Sequence, residues 1–335
     1  MAEMIRPTAP AHLPGLVKAA FDKARVNGDV TYYQTQVAIL APRSIAFQLR
    51  FSPALALKPR APKPKELNEK PFNPFENPSP AMLIADLPPS HKLVLNKFAV
   101  VPEHFILVTK EFKPQTHVLE EADIAATFAC IQAYHTDGQE LFAFFNCGQH
   151  SGASQPHRHL QLLPVDRMKD GLEDVDRGSE WSVLAEKITE SEKALPFNVF
   201  ASNIRLDMSA EERHDTYLEL YRRAVKSVYP DSEVRSEGEA KISYNFAMTS
   251  NSMALCPRTA EGTMIKNKSG EDVGIVSLNG TVLAGTALVK NEAEWDALKE
   301  DPDMLLDVLQ GIGVPSEGDG QSVAGHSEWI LKSNC

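Results

Sequence analysis

The sequence has no C-x-x-C pair, no run of about 18 apolar residues and no excess of positive charge, and each absence removes a class of protein. Its cysteines, Cys130, Cys147, Cys256 and Cys335, stand far apart, so a thiolate zinc site has no local signature. They read as reduced packing residues of a cytosolic chain. No candidate membrane helix is present, and Met1 to Leu13 lacks the basic stretch and apolar core of a secretory signal. The formal net charge is −11, whereas a protein that coats nucleic acid neutralises phosphates with a basic surface. A nucleic-acid polymer and a membrane are therefore not expected as partners. A cytoplasmic location is expected, with the nucleus left open. A small polyanion stays within reach if a few side chains and backbone amides gather enough local positive charge.

What is present is an ordinary globular balance, 43% hydrophobic and 24% charged over 335 residues. That is chain enough for about two domains or one large one. The prolines between Pro53 and Pro80 forbid long helices and predict an extended connector over 53–80. Gln36 to Phe51 before it reads as a strand or two. Phe98–Val101 and Phe105–Thr109, parted by Pro102-Glu-His104, predict a hairpin. Ile124, Phe128, Ile131 and Tyr134 recur at helical spacing, and Asp137-Gly138 closes that helix. Leu141–Phe145 and His157–Leu163 predict further strands. The acidic stretch from Asp166 to Pro196 is expected to cover or link. Ser209 and Glu212 form a capping-box pair opening a helix over 209–228, and a last helix is expected over 292–309. Tyr244–Met248 with Met253–Cys256 echo the earlier hairpin. Ile275–Asn279 with Gly280 and Gly285 echoes Phe144–Asn146 with Gly148 and Gly152. The expected organisation is two pseudo-repeated halves, 1–175 and 176–335, with a histidine pair only in the first.

The informative stretch is Asn146-Cys-Gly-Gln-His-Ser-Gly-Ala-Ser-Gln-Pro-His-Arg-His-Leu-Gln161. On a strand, side chains alternate, so His157, His159 and Gln161 share one face at intervals of about 6.6 Å. Arg158, Leu160 and Leu162 take the other face. The small residues of Gly148–Ser154 let backbone N–H groups approach an anion, and the hydroxyls of Ser151 and Ser154 can add donors. Neutral imidazole is a competent nucleophile near neutral pH, and such a loop suits phosphorus chemistry. Two blander readings stand beside this one. The histidines can be structural, or His-x-His can bind a metal, although no carboxylate or thiol lies nearby in sequence to complete the site.

His157-Arg-His-Leu-Gln161 resembles the H-x-H-x-Q signature of the transferase branch of the histidine-triad superfamily. Hydrolase members carry a third histidine where Gln161 stands. The longer string Ser151–Leu163, with Asn73-Pro-Phe75, Asn96-Lys-Phe98 and Pro102–Lys110, resembles the diadenosine tetraphosphate phosphorylases. The similarity runs over roughly residues 30 to 330. It implies an α+β fold with antiparallel sheets flanked by helices. It also implies that His159 attacks an α-phosphorus and carries the adenylyl group, with a carbonyl near His157 holding its other nitrogen and Gln161 bonding a phosphate oxygen. An amide can donate a hydrogen bond but cannot shuttle a proton, so phosphate rather than water discharges the intermediate.

By the same resemblance, Lys58, Asn96, Lys97, Asn146, Ser151, Gly152, Ala153, Ser154, Ser277, Leu278, Asn279 and Lys290 fall at or near nucleotide-binding positions. The lysines can equally be solvated, and the asparagines can cap turns. The implied partners are diadenosine polyphosphates, ATP, ADP and phosphate. No covalent cofactor and no protein-held metal are expected. A divalent cation such as Mg²⁺ is expected only with the polyphosphate. Two other readings remain: a transferase of the same branch acting on adenylyl sulfate or a UDP-sugar, and a nucleotide-binding protein without activity.

Overall fold

The computed structural model describes residues 6–57, 72–188 and 195–316. In chain order the elements are α1 (Leu13–Val26), β1 (Thr31–Tyr32), β2 (Gln36–Leu40), β3 (Phe47–Phe51), β4 (Leu83–Leu87), β5 (His91–Leu95), β6 (Phe98–Ala99), β7 (Phe105–Thr109), α2 (Glu121–Thr136), β8 (Leu141–Cys147) and β9 (His159–Pro164). There follow α3 (Val165–Met168), α4 (Leu184–Ile188), β10 (Phe200–Asn203), α5 (Ala210–Val228), β11 (Ser243–Met248), β12 (Ser252–Arg258), β13 (Gly262–Lys266), β14 (Asp272–Ser277), β15 (Thr286–Val289), α6 (Glu292–Glu300) and α7 (Met304–Ile312).

The centre is an eight-stranded antiparallel sheet in the order β10-β12-β11-β8-β9-β7-β5-β4. Every residue of β5, β7, β8 and β12 is buried, because both faces are covered. On one face Leu107, Phe145, Leu160, Leu162 and Phe246 pack against Ile124 and Phe128 of α2 and Tyr217 and Leu220 of α5. Each such side chain taken from water contributes about 1.5–3 kcal/mol. On the other face Phe142, Phe144, Leu163 and Ala247 meet a second layer built from the small sheet β15-β3-β2 with α4, α6 and α7. That layer stops short of β5 and β7, where Val94, Ile106 and Val108 pack on Phe75 in a small cluster of their own. This margin, which the second layer leaves uncovered, is the candidate cleft.

The fold is α+β with antiparallel sheets flanked by helices, as the resemblance implied. Ser209 caps α5 as the sequence indicated: Glu212 N–H donates to the Ser209 hydroxyl at 3.1 Å, and Ser209 N–H donates to the Glu212 carboxylate at 2.6 Å. Four local expectations are corrected. Phe98–Val101 and Phe105–Thr109 do not form a hairpin: β6 runs parallel to β1, and β7 pairs with β5 and β9. The strand expected over 157–163 begins at His159, with His157 in an isolated bridge to Pro114. The last helix is two helices, because Pro302 follows Asp301 and a residue before proline leaves the helical region. Asp166–Pro196 is not merely a polar cover, since Met168, Leu172, Trp181, Leu184, Ile188 and Leu195 enter the core.

The two halves meet inside one sheet. The β11–β12 hairpin joins β8 in register, with Asn245 opposite Asn146 and Phe246 opposite Phe145. Ile275–Asn279, expected to parallel Phe144–Asn146, instead runs from the end of β14, in a separate two-stranded ribbon with β13, into the turn that Asn279 caps.

Candidate active site

The alternation read from the sequence places His159 and Gln161 on the cleft face, with Val108 and Ile106 beside them in register. The His159 backbone is fixed by Gln115, a residue with no motif to announce it. Its Oε1 accepts from His159 N–H at 2.8 Å, and its Nε2 donates to the carbonyls of Asn146 at 2.8 Å and His159 at 3.2 Å. The β8–β9 ladder ends at Phe144 opposite Gln161. The Gln115 amide then takes over the role of the missing peptide bonds and wedges the two strands apart where His159 sits.

The imidazoles have different jobs. Thr109 and Glu111 carbonyls surround His157 Nε2 at 2.9 and 3.1 Å, so that nitrogen carries the proton and donates. His157 Nδ1 then accepts from Asn73 Nδ2 at 2.9 Å, and the Asn73 amide is oriented by Phe75 N–H donating to its Oδ1 at 3.0 Å. With both nitrogens engaged, His157 cannot share a metal with His159. Among the described residues no group of three or more His, Cys, Asp or Glu is disposed to hold an ion. His159 Nδ1 lies 2.8 Å from the His157 carbonyl and must donate to it, which leaves the Nε2 lone pair free of partners among the described residues. Burial pushes the His159 pKa from the usual 6.5 down to about 4, so the ring is neutral at physiological pH. Burial also lowers His157, against the opposing pull of the two carbonyls. The Phe75 ring lies 5.0 Å from the His159 ring and 5.9 Å from that of His157, closing one side.

The glycine loop follows β8. Gly148 and Gly152 sit at φ +85° and +80°, where side-chain-bearing residues are strained, and a Cβ on Gly152 would stand 2.8 Å from the Asn279 Cβ. Both halves thus close on this loop. Ser151 is fully buried, and its hydroxyl donates inward to the Gly148 carbonyl at 2.7 Å, so it stiffens the loop instead of offering a donor to the cleft. Ala153 and Ser154 are exposed on its outer turn. Asn146 Oδ1 accepts from Gly280 N–H and from Asn245 Nδ2, each at 2.9 Å. Gln161 is half-buried on the cleft floor, with no side-chain hydrogen bond among the described residues.

Residues 3–174 match the family model described as Ap4A phosphorylase N-terminal domain, and residues 193–315 match that of the ATP adenylyltransferase C-terminal domain. The chain belongs to the Ap4A phosphorylase family. Within it, diadenosine 5',5'''-P1,P4-tetraphosphate phosphorylase 2 of Saccharomyces cerevisiae is 29% identical over 316 residues, 88% of this chain and 93% of that protein. Protein APA1 of the same yeast is 26% identical over 322 residues, 92% and 96% of the two chains. The crystal structure of yeast Ap4A phosphorylase Apa2 superposes with a TM-score of 0.71 at 25% identity, covering 93% of this chain and 97% of that one. Apa2 in complex with Ap4A superposes at 0.73 and 24% identity, covering 91% and 98%. Membership makes the protein a nucleotidyltransferase.

The remaining sequence-derived positions of this Ap4A phosphorylase-family chain are spread along the cleft and beyond it. Asn279 caps the short turn Gly280–Ala284 through its Oδ1, and Leu278 is core. Ser277 is exposed in the ribbon, opposite Gly262. Asn96 closes a turn by accepting from Phe98 N–H at 3.0 Å and sets its Nδ2 against His104. It lies four residues along β5 from Lys92, which pairs with Val108 and so shares a register line with His159. Lys97 is exposed, its ammonium 5.8 Å from the Phe98 ring. Lys290 is exposed after β15, and among the described residues no hydrogen bond or ion pair joins it to the cleft. Lys58 lies outside the described residues. The structure adds Lys92, 9% exposed on the cleft face with Nζ donating to the Glu76 carbonyl at 3.2 Å. A lone lysine inside the run His91–Leu95 was the signal for it.

Arg158 lies on the opposite face, as alternation requires. Its Nη1 donates to Asp123 at 2.7 Å and Glu120 at 2.8 Å. Burial alone would raise the Asp123 carboxyl, but the hydrogen bond from His91 and the Arg158 charge outweigh it and hold the group below the usual carboxylate range.

Proposed function

We propose that the chain catalyses phosphorolysis of diadenosine tetraphosphate to ATP and ADP, reversibly, through an adenylyl group carried on His159. The observation that carries this reading is the His159 ring itself: neutral, with Nδ1–H donated to the His157 carbonyl at 2.8 Å and the Nε2 lone pair unshared among the described residues. Nε2 attacks the α-phosphorus, a P–N bond forms, and the P–O bond to the departing ATP breaks. An oxygen of inorganic phosphate then attacks the same phosphorus, the P–N bond breaks, ADP leaves and His159 is restored. Gln161 and the backbone N–H groups of Gly148–Ser154 other than those of His150 and Ser151, which donate to Ser243 and Gly148, hold the non-bridging oxygens as charge develops. Gln161 cannot take a proton from water, so the intermediate waits for an anion that needs no base.

No residue of the chain is required to hold a metal, and we assign a divalent cation such as Mg²⁺ to the polyphosphate substrate. Among the described residues no helix is long and apolar enough to cross a membrane. The buried, unpaired thiols of Cys130, Cys147 and Cys256 accord with action in the cytoplasm. The test is product stoichiometry. With diadenosine tetraphosphate and phosphate, ATP and ADP should appear in equal amounts, and omission of phosphate should stop turnover. Cleavage that proceeds at the same rate without phosphate, releasing AMP, would contradict the reading.

A further inference from the structure

A row of polar side chains crosses four neighbouring strands of the cleft face. It runs from His159 on β9 through Asn146 on β8 and Asn245 on β11 to Arg258 on β12. Asn245 is fully buried and fully used. Its Nδ2 donates to Asn146 Oδ1 at 2.9 Å and to the Ser151 carbonyl at 2.9 Å, while its Oδ1 accepts from Arg258 Nη1. The guanidinium decides which way this amide points, because a flipped Asn245 would set its own N–H groups against a donor that cannot accept. Asn245 in turn decides Asn146. With Oδ1 holding two donors, from Asn245 and Gly280, the Asn146 Nδ2 is left with no hydrogen-bond partner among the described residues, beside the strand that carries His159.

Arg258 also grips the other wall. Its Nη2 donates to the Leu278 carbonyl at 2.9 Å and to the carbonyls of Ala260 and Glu261 at 3.0 and 3.1 Å, and its Nε donates to Ile312 at 3.2 Å. One side chain therefore fixes both the amide row and the Leu278–Gly280 segment that supplies the second donor to Asn146.

We propose that Arg258 and Asn245 are positioning residues for the phosphate site, holding the Asn146 amide so that its N–H₂ group faces the non-bridging oxygens of the reacting phosphate. This rests on the reading of the cleft as the adenylyl-transfer site. Nothing in the histidine motif implies it, since both residues come from the half without the histidine pair.

The test is a double-mutant cycle on Asn146→Ala and Asn245→Ala, read both as phosphorolysis of diadenosine tetraphosphate and as equilibrium binding of AMP. Each single variant should lose roughly tenfold to a hundredfold in kcat/KM, the size of one lost hydrogen bond to a charged group. The double variant should be no worse than Asn146→Ala alone, and AMP affinity should show the same lack of additivity. Asn245→Asp covers the case in which the alanine variant fails to fold. It keeps size and the bond from Arg258 but presents no donor to Asn146. It also loses the bond to the Ser151 carbonyl, so stability falls, but in protein shown to be folded it should lower kcat and should cost little further kcat in the Asn146→Ala background. Multiplicative losses in both readouts, or an unchanged kcat in a folded Asn245→Asp protein, would overturn the proposal. Wild-type protein that binds AMP without phosphorolysis would defeat the reaction assignment alone, and the AMP cycle would still decide the positioning role. Failure to bind AMP at all would overturn both.

Discussion

Arg158 and Arg258 are both buried, 2% and 3% exposed, on opposite faces of the same sheet, and they are solvated in opposite ways. Arg158 ends on two carboxylates, Asp123 and Glu120. Burial disfavours its charge, but those carboxylates prevail and raise its pKa. Arg258 ends on the Asn245 amide oxygen and on carbonyls, none of them a carboxylate, and burial lowers its pKa. A guanidinium stays charged in either setting. On the helix face the charge is cancelled where it sits, so it ties α2 to the sheet. On the cleft face it is left uncancelled and is handed along amides toward the place where phosphate is expected. The sheet thus separates the Arg158 ion cluster from the amide row that we propose serves the phosphate site, with Arg158 lying between His157 and His159 in the strand.

The sharpest way to break this division is to compare substitutions across it. His159→Ala should remove phosphorolysis by about 10⁴-fold or more, because a covalent route is lost, and steady-state turnover checks it. Arg158→Leu should instead cost about 3–5 kcal/mol of folding stability by stranding Asp123, seen as a lowered denaturation midpoint. Its turnover per folded molecule should stay within a few-fold of the parent. If Arg158→Leu abolished turnover in folded protein, the separation of faces would be wrong.

Gln115→Ala sharpens the boundary, since Gln115 bonds the strand backbone and not the ring. Losing its bonds should cost about 2–3 kcal/mol at roughly 1 kcal/mol each, and kcat should fall while nucleotide affinity changes little. Urea denaturation and a KM–kcat separation measure the two effects.

The smallest effect expected is a flat line. The rate of adduct formation should be level from pH 8 to about 5 and fall only as His159 protonates near 4. Stability follows the same group. The folded pKa is lowered, so the unfolded chain binds a proton between 6.5 and 4 that the folded chain refuses. The contribution is complete above 6.5 and is lost as pH falls through 4. A rate that halves near pH 6.5 would show a solvated histidine.

The strand that carries His159 was legible because a period of two is rigid: once His159 is on a strand, Gln161 must share its face and Arg158 must not. The helix over 209–228 was legible for a similar reason, as Ser209 and Glu212 satisfy each other's backbone N–H groups locally. The rest depended on long-range pairing. Phe98–Ala99 reads as half of a hairpin, yet its partner is Thr31–Tyr32, far back in sequence and parallel to it. Gln115 and Asn73 sit in loops and act through single hydrogen bonds, which leave no period to detect. The Ser151 hydroxyl looked like a ligand donor because small-residue loops bind anions, but a tight turn at Gly148 claims it first. Asn245 and Arg258 follow the alternation of β11 and β12, but nothing local says that this hairpin abuts β8.

The account stands or falls on His159 as the carrier. The most direct measurement is intact mass spectrometry of the protein after incubation with diadenosine tetraphosphate in the absence of phosphate. The expected result is a mass gain equal to one adenylyl group, absent in His159→Ala and discharged by added phosphate to give ADP. A folded, nucleotide-binding protein that turns over substrate without ever showing this adduct, or that keeps it in His159→Ala, would contradict the covalent mechanism.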